Sequence, residues 1–205
     1  MQTKGPHPAT YLQGTDAPPL IRACFEWSHL KQLYRQGWLR RGIPPERCES
    51  VAEHTFGVAM LALFLADTSH ADLDPLKVLR IALLHDLGEV YAGDLTPGDA
   101  VDPEEKHALE EQSVIRVLSK LPQGPGYIAL WQEYEQGASP EARLVRQVDR
   151  LEMALQAALY EHQEQIALPD FFDSADAAIS WPALHALLAA VKEIRPAHLE
   201  HPGHA

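Results

Sequence analysis

Cysteine is nearly absent from this sequence, and so is any surplus of positive charge. Only Cys24 and Cys48 occur among 205 residues. Neither belongs to a C-x-x-C pair, and two thiols of this kind are expected to stay reduced rather than to staple the fold. Lysine and arginine total 17 against 29 acidic residues, a net charge of −12. So acidic a surface repels a phosphate backbone, which excludes a general nucleic-acid binder. No uninterrupted apolar run approaches the roughly 18 to 20 residues that cross a bilayer. The opening "MQTKGPHPATYLQGTDAPP" lacks the apolar centre of a signal peptide. A cytoplasmic chain that enters no membrane is the expectation.

Sustained period-two alternation, internal repeats and dividing linkers are missing as well. What is present is helical period, with 46% apolar residues, enough to pack one full core. From Leu20 an apolar pattern (Ala23, Cys24, Trp27, Leu30, Leu33, Tyr34) recurs at three and four, predicting a helix that stops near Gly37. The loop "RQGWLRRGIPPERCE" follows. Ser50 and Glu53 have capping-box spacing ahead of "VAEHTFGVAMLALFLAD", which assigns Glu53 to its own cap rather than to catalysis. Asp74 and Pro75 open a helix expected to reach about Val90, with Gly93 beyond it. Further helices open at Asp102–Pro103, in "YIALWQEYEQG", at Ser139–Pro140 (to about His162) and near Pro182, while "GPGY" at Gly124 reads as a turn. The fold class is all-α: one multi-helix domain over residues 18–195, between a loose arm at 1–17 and a tail at 196–205. The tail histidines His198, His201 and His204 read as part of a frayed terminus.

The stretch "IALLHDLGEVYAGD" holds a conflict. Apolar residues cover nearly the whole circumference of its helix, yet His85, Asp86 and Glu89 crowd one side. An unpaired carboxylate there costs several kcal/mol or turns neutral. His54 lies among Val51, Val58, Leu61 and Leu65, and Asp149 interrupts a stripe of Leu144, Val148, Leu151, Leu155 and Leu159. Singly, these are a core histidine and an ion-pair partner for Arg146 or Arg150. Together, His54, His85, Asp86 and Asp149 form an N₂O₂ set suited to a first-row divalent metal rather than calcium. In so acidic a chain, "RQGWLRRGIPPER" stands out with four arginines. It reads either as a solvated loop or as a site for a phosphate dianion.

The order H…HD…D, with "HDLGE" on the second helix, resembles the HD-domain metal-dependent phosphohydrolase superfamily. "RQGWLRR", "ESVAEH", "LLHDLGEVYAGDLTP", "EEKHALEE", "LWQEYE" and "QVDRLEMALQAALYE" resemble its 5′-deoxynucleotidase branch, in family order from Arg35 to Glu161. The resemblance implies an all-α HD fold and hydrolysis of 2′-deoxynucleoside 5′-monophosphates to deoxynucleoside and phosphate. It implies manganese, cobalt or magnesium as cofactor, a small-molecule nucleotide as partner, and a homodimer. His54, His85, Asp86 and Asp149 match the metal ligands, Glu89 the acid–base glutamate, and Asp94 the aspartate beside the attacking water. A second ion would lie near Glu89 and Asp94. Arg35 and Trp38 match residues at phosphate and deoxyribose, and Arg41 is taken as a third substrate-binding residue. In the bacterial enzymes the arginine and tryptophan are adjacent, whereas Gln36 and Gly37 separate them here.

Rival signatures are missing: no G-x-S-x-G elbow, no G-x-x-x-x-G-K-[ST] loop, no H-E-x-x-H. The alternatives that stay open are another HD reaction, on a deoxynucleoside triphosphate or cyclic nucleotide, and a non-catalytic metal-stabilised nucleotide-binding module. Glu89 and Asp94, which a binding module would not need, favour an enzyme.

Overall fold

The structure, a computed structural model, describes residues 1–69 and 72–200. His201 and His204 lie outside the described residues, as does the end of the expected tail. Among the described residues ten helices carry the architecture: α1 (Pro19–Trp27), α2 (Gln36–Arg40), α3 (Val51–Ser69), α4 (Pro75–Leu84), α5 (Glu89–Ala92), α6 (Pro103–Leu118), α7 (Gly124–Gln136), α8 (Pro140–Glu164), α9 (Pro169–Ala178) and α10 (Pro182–Glu193). A final turn follows at Ala197–Glu200. Among the described residues there is no strand, only the isolated bridges Thr3–Leu33 and Tyr34–Ser50.

Local chemistry starts the helices where the sequence predicts. Asp74 accepts from the backbone N–H groups of Leu76 and Lys77, Asp102 from those of Glu104 and Glu105, and Ser139 from that of Ala142. A proline follows each cap, where its missing N–H costs nothing. At α3 the capping box is complete: Ser50 N–H donates to Glu53 Oε2 at 2.6 Å, and Glu53 N–H to Ser50 Oγ at 3.3 Å. Helices α3, α4 and α8 pack on one another in the centre, α9 and α10 cover α8, and α5, α6 and α7 close the other side. Leu144, Val148 and Leu151 of α8 are buried between them, each such side chain contributing about 1.5 to 3 kcal/mol. By length and composition α3 is apolar enough to cross a bilayer, unlike the expectation for any run. Its buried positions Val58, Ala59, Ala62, Leu65 and Ala66 belong to the main core.

Five expectations need correction. The helix predicted from Leu20 to Gly37 ends at Trp27. A 3₁₀ turn (Ser28–Lys31) follows, and Leu33–Arg35 then pair with the start of α3. Val51 N–H donates to Leu33 C=O at 2.9 Å and Arg35 N–H to Glu49 C=O at 3.1 Å, so these groups serve a neighbouring segment instead of a helix. Helix α2 then lies inside the expected loop. The helix from Pro75 ends at Leu84, not Val90, because the Trp131 indole donates to the His85 carbonyl at 3.2 Å. The next bonds tighten to i→i−3 (Leu87 N–H to Leu84 C=O, Glu89 N–H to Asp86 C=O) as the chain enters α5. The turn expected at Gly124 is the first turn of α7. A Cβ on Gly124 would stand 2.1 Å from the Leu118 carbonyl, so only glycine fits there. Helix α9 was not expected, since Leu168 offers no side-chain cap and Pro169 alone marks its start.

Residues 1–17, read as a loose arm, are partly docked. Gln2 and Gln36 exchange hydrogen bonds at 2.8 Å (Gln2 N–H to Gln36 Oε1, Gln36 Nε2 to Gln2 C=O), and the His7 ring stacks on His29 and Tyr91. The reason is local: Gln36 and His29 present matching polar and aromatic surfaces to the arm.

Candidate active site

A cavity of about 1100 Å³ opens where α2, the α4–α5 turn, α6, α7 and α8 meet. Three predicted ligands, His85, Asp86 and Asp149, line its floor, and His54 is buried against them. His54 comes from α3, His85 caps α4, Asp86 follows it, and Asp149 comes from α8. His54 Nε2 is 3.1 Å from Asp149 Oδ1 and 3.7 Å from Asp86 Oδ2, and His85 Nε2 is 3.2 Å from Asp86 Oδ2. Donor atoms of His54, His85 and Asp149 lie within 4.8 Å of one another, close enough to share one ion. Both rings are buried, His54 1% and His85 3% exposed.

Electrostatics bind this group together. Burial disfavours a charged His54 ring and Arg35 adds to that, but hydrogen bonds to Asp149 and Glu152 prevail and push its pKa up to about 10. Burial likewise opposes ionised Asp86 and Asp149. The charge of His85 outweighs it at Asp86, and the His54 hydrogen bond does so at Asp149, so both are held well below the usual carboxylate range. Glu89 goes the other way: burial, then the charges of Asp86 and Asp94, raise it well above its ordinary value.

The residues fit a divalent cation. Elsewhere a buried carboxylate is fully satisfied: Glu161, 0% exposed, accepts two bonds from Arg195 at 2.8 and 2.9 Å and one from Leu168 N–H at 2.8 Å. At the site, by contrast, His85 Nε2, Asp86 Oδ2 and Glu89 Oε2 are buried with no hydrogen-bond partner. His85 Nδ1 is engaged by the Ala82 carbonyl at 2.7 Å, leaving Nε2 as the free donor atom. Two imidazoles and two carboxylates suit a first-row divalent ion.

Glu89, Asp94, Arg35 and Trp38 also reach the cavity. Arg35 Nη1 lies 3.2 Å from Asp94 Oδ1, 3.5 Å from Asp86 Oδ2 and 3.7 Å from Glu89 Oε1, one buried cation among three carboxylates. Asp94 follows Gly93, whose φ of +83° turns the chain back towards the site, and accepts from Gln36 N–H. Trp38 is 2% exposed. Its indole donates to Glu49 Oε1 at 2.7 Å and its ring stacks on Phe171 at 4.0 Å. Arg41 does not reach the cavity. It pairs with Asp170 at the surface, because α2 has ended at Arg40 and the chain turns outward. Arg40 and Arg47 are likewise spent on Asp99 and Glu164, so Arg35 is the one arginine of that segment that enters the site.

Several further groups belong to the site, Arg146 and Arg150 among them, which the sequence suggests only as ion-pair partners of Asp149. Arg143, Arg146 and Arg150 line the cavity from α8 at spacings of three and four, a facial pattern that was readable beside Asp149. Tyr134 of α7 sets its hydroxyl 3.5 Å from Asp149 Oδ2. Glu110 of α6 has its pKa raised to about 7, chiefly by burial. Glu152 meets His54 Nδ1 at 2.6 Å.

The sequence profile of the HD domain family matches residues 27–185, which include all four candidate ligands. The chain belongs to the HD domain family. A Bos taurus protein named 5′-deoxynucleotidase HDDC2 is 35% identical over 196 residues, 94% of this chain and 93% of its own length. The crystal structure of PH0347 protein from Pyrococcus horikoshii OT3 superposes with a TM-score of 0.72 at 32% identity, covering 85% of this chain and 99% of that one. That of a predicted metal-dependent phosphohydrolase from Magnetospirillum magnetotacticum MS-1 gives 0.65 at 26% identity, covering 87% and 97%. An HD domain implies a divalent metal, in agreement with the orphaned atoms at the cavity floor.

Proposed function

We propose that the chain is a metal-dependent phosphomonoesterase that hydrolyses 2′-deoxynucleoside 5′-monophosphates to deoxynucleoside and phosphate. The observation that carries this reading is the cavity floor itself, a two-histidine, two-aspartate set flanked by one arginine and two further carboxylates. The name of the bovine relative gives the substrate class.

Bound among His54, His85, Asp86 and Asp149, a divalent cation supplies Lewis-acid polarisation of the phosphate and acidifies water. The chain's own groups do the rest. Arg35 offers its guanidinium to phosphate oxygens. Asp94, oriented by Arg35 and Gln36 N–H, takes the proton of the attacking water as the new P–O bond forms. Glu89 gives a proton to the 5′ oxygen as the old bond breaks. The metal is manganese, cobalt or magnesium in this reading, and a second ion near Glu89 and Asp94 would require Arg35 to turn from those carboxylates to the phosphate. Exposed Phe56 and Phe64 on α3 and Leu159 on α8 offer apolar surface for a homodimer.

Phosphate release from a panel of deoxy- and ribonucleoside monophosphates and deoxynucleoside triphosphates, with each metal added, tests the reading. Phosphate from deoxynucleoside monophosphates is expected. Release of pyrophosphate or triphosphate would replace this reading with another HD reaction. Trp38 sharpens it. As a wall that excludes a 2′-hydroxyl, Trp38→Ala lowers kcat/KM for dAMP more than for AMP, narrowing their ratio by up to about 10²-fold. As a mere anchor held by Glu49 and Phe171, it leaves the ratio unchanged.

A further inference from the structure

Helix α8 holds the His54 ring from both edges. Asp149 faces Nε2 at 3.1 Å, and Glu152, one turn further along the same face, faces Nδ1 at 2.6 Å. The contact is well enclosed, with the side chains of His54 and Glu152 1% and 12% exposed. An imidazole whose Nδ1 meets an ionised carboxylate carries its proton there, and Nε2 is then the nitrogen with a free lone pair.

A second feature, on another helix, makes the contact possible. Gly57 lies three residues after His54 in the middle of α3, where glycine costs helix stability. A Cβ at Gly57 would stand 2.3 Å from Glu152 Oε1 and 3.0 Å from its Cδ. The missing side chain is the space that the carboxylate occupies. Any larger residue pushes it off the ring.

We propose that Glu152 is the positioning residue of His54, fixing its tautomer and orientation for a divalent cation at Nε2, and that Gly57 is the cradle that admits it. This rests on the metal-site reading above. Glu152 touches neither substrate nor reacting atoms in this arrangement; it acts through the ring.

The test uses the full chain and zinc as a diamagnetic probe. Zinc affinity is measured by calorimetry, and the His54 ring is observed by ¹⁵N–¹H NMR in the zinc-loaded protein. Glu152→Gln, which keeps size but not charge, is expected to lower zinc affinity by about 10- to 100-fold, the usual effect of losing such a partner. The His54 Nδ1 proton should move upfield as its hydrogen bond weakens. Gly57→Ala should shift both readouts in the same direction while removing no polar group, so it stands in if Glu152→Gln folds poorly. His54→Ala separates the two ideas. If it binds zinc like the wild type, the metal-site reading fails and takes this one with it. If it loses zinc while Glu152→Gln and Gly57→Ala keep wild-type affinity and an unmoved Nδ1 proton, the positioning role alone is overturned.

Discussion

Two pairs of histidines meet ring to ring among the described residues, and their surroundings drive them in opposite directions. His54 and His85 meet edge to face at 5.5 Å, ringed by Asp86, Asp149 and Glu152, and both have raised pKa values despite burial. His7, in the N-terminal arm, stacks on His29 at 4.2 Å and 17°. Burial lowers both, His29 to about 4, with the neighbouring His7 ring as its second cause. Burial acts in the same direction on all four rings and so does not distinguish the pairs. Carboxylates aimed at the ring nitrogens make one pair fit to face a cation, and their scarcity makes the other a neutral aromatic contact.

Metal removal should separate the pairs most sharply. At a free metal concentration a thousandfold above Kd, binding stabilises the fold by about 4.1 kcal/mol. Chelation should then lower Tm by about 10 °C for a chain of this size. Asp149→Asn should abolish most of that shift, whereas His29→Asn should leave it intact. Equal shifts in all three proteins would erase the distinction. A smaller loss, about 10²-fold in kcat, is expected for Glu89→Gln with metal content unchanged, the scale of a proton-transfer group. Loss of metal instead would move Glu89 among the ligands.

Acid probes the other pair. His7 and His29 bind protons less readily folded than unfolded, so their contribution is complete above pH 6.5. It is lost as the pH falls from 6.5 through about 4. Glu26 and Arg116, which flank His7, pull in opposite directions and leave burial in control. Thermal melts of the metal-free chain across that range should show a decline that His29→Phe flattens. The smallest effect belongs to Arg41. Its pairing with Asp170 is exposed on both sides, and Arg41→Ala should alter stability by no more than about 0.5 kcal/mol and leave kcat/KM alone.

The legible parts of this protein were those written in neighbouring residues. Asp74, Asp102 and Ser139 cap their helices as their sequence contexts predict, and the apolar settings of His54 and Asp149 pointed to one centre. The illegible parts depend on distant partners. Nothing near His85 reveals that the Trp131 indole takes its carbonyl and ends α4 early. Nothing in "RQGWLRRGIPPER" tells that Arg35 turns inward while Arg41 meets Asp170, a residue 129 positions away. Glu152 escaped notice because it sits at the margin of its apolar stripe rather than within it. Gly57, an unexplained glycine inside a helix, was the available hint.

The paired amides of Gln2 and Gln36 have a practical consequence. Gln36 offers its side chain to the first residues of the chain and its backbone N–H to Asp94. The sulfur of Met1, moreover, lies against Gly93, immediately before that aspartate. Displacing these first two residues would therefore reach the loop that carries Asp94 through two contacts at once. Kinetic constants are best compared between preparations that share the same first residues.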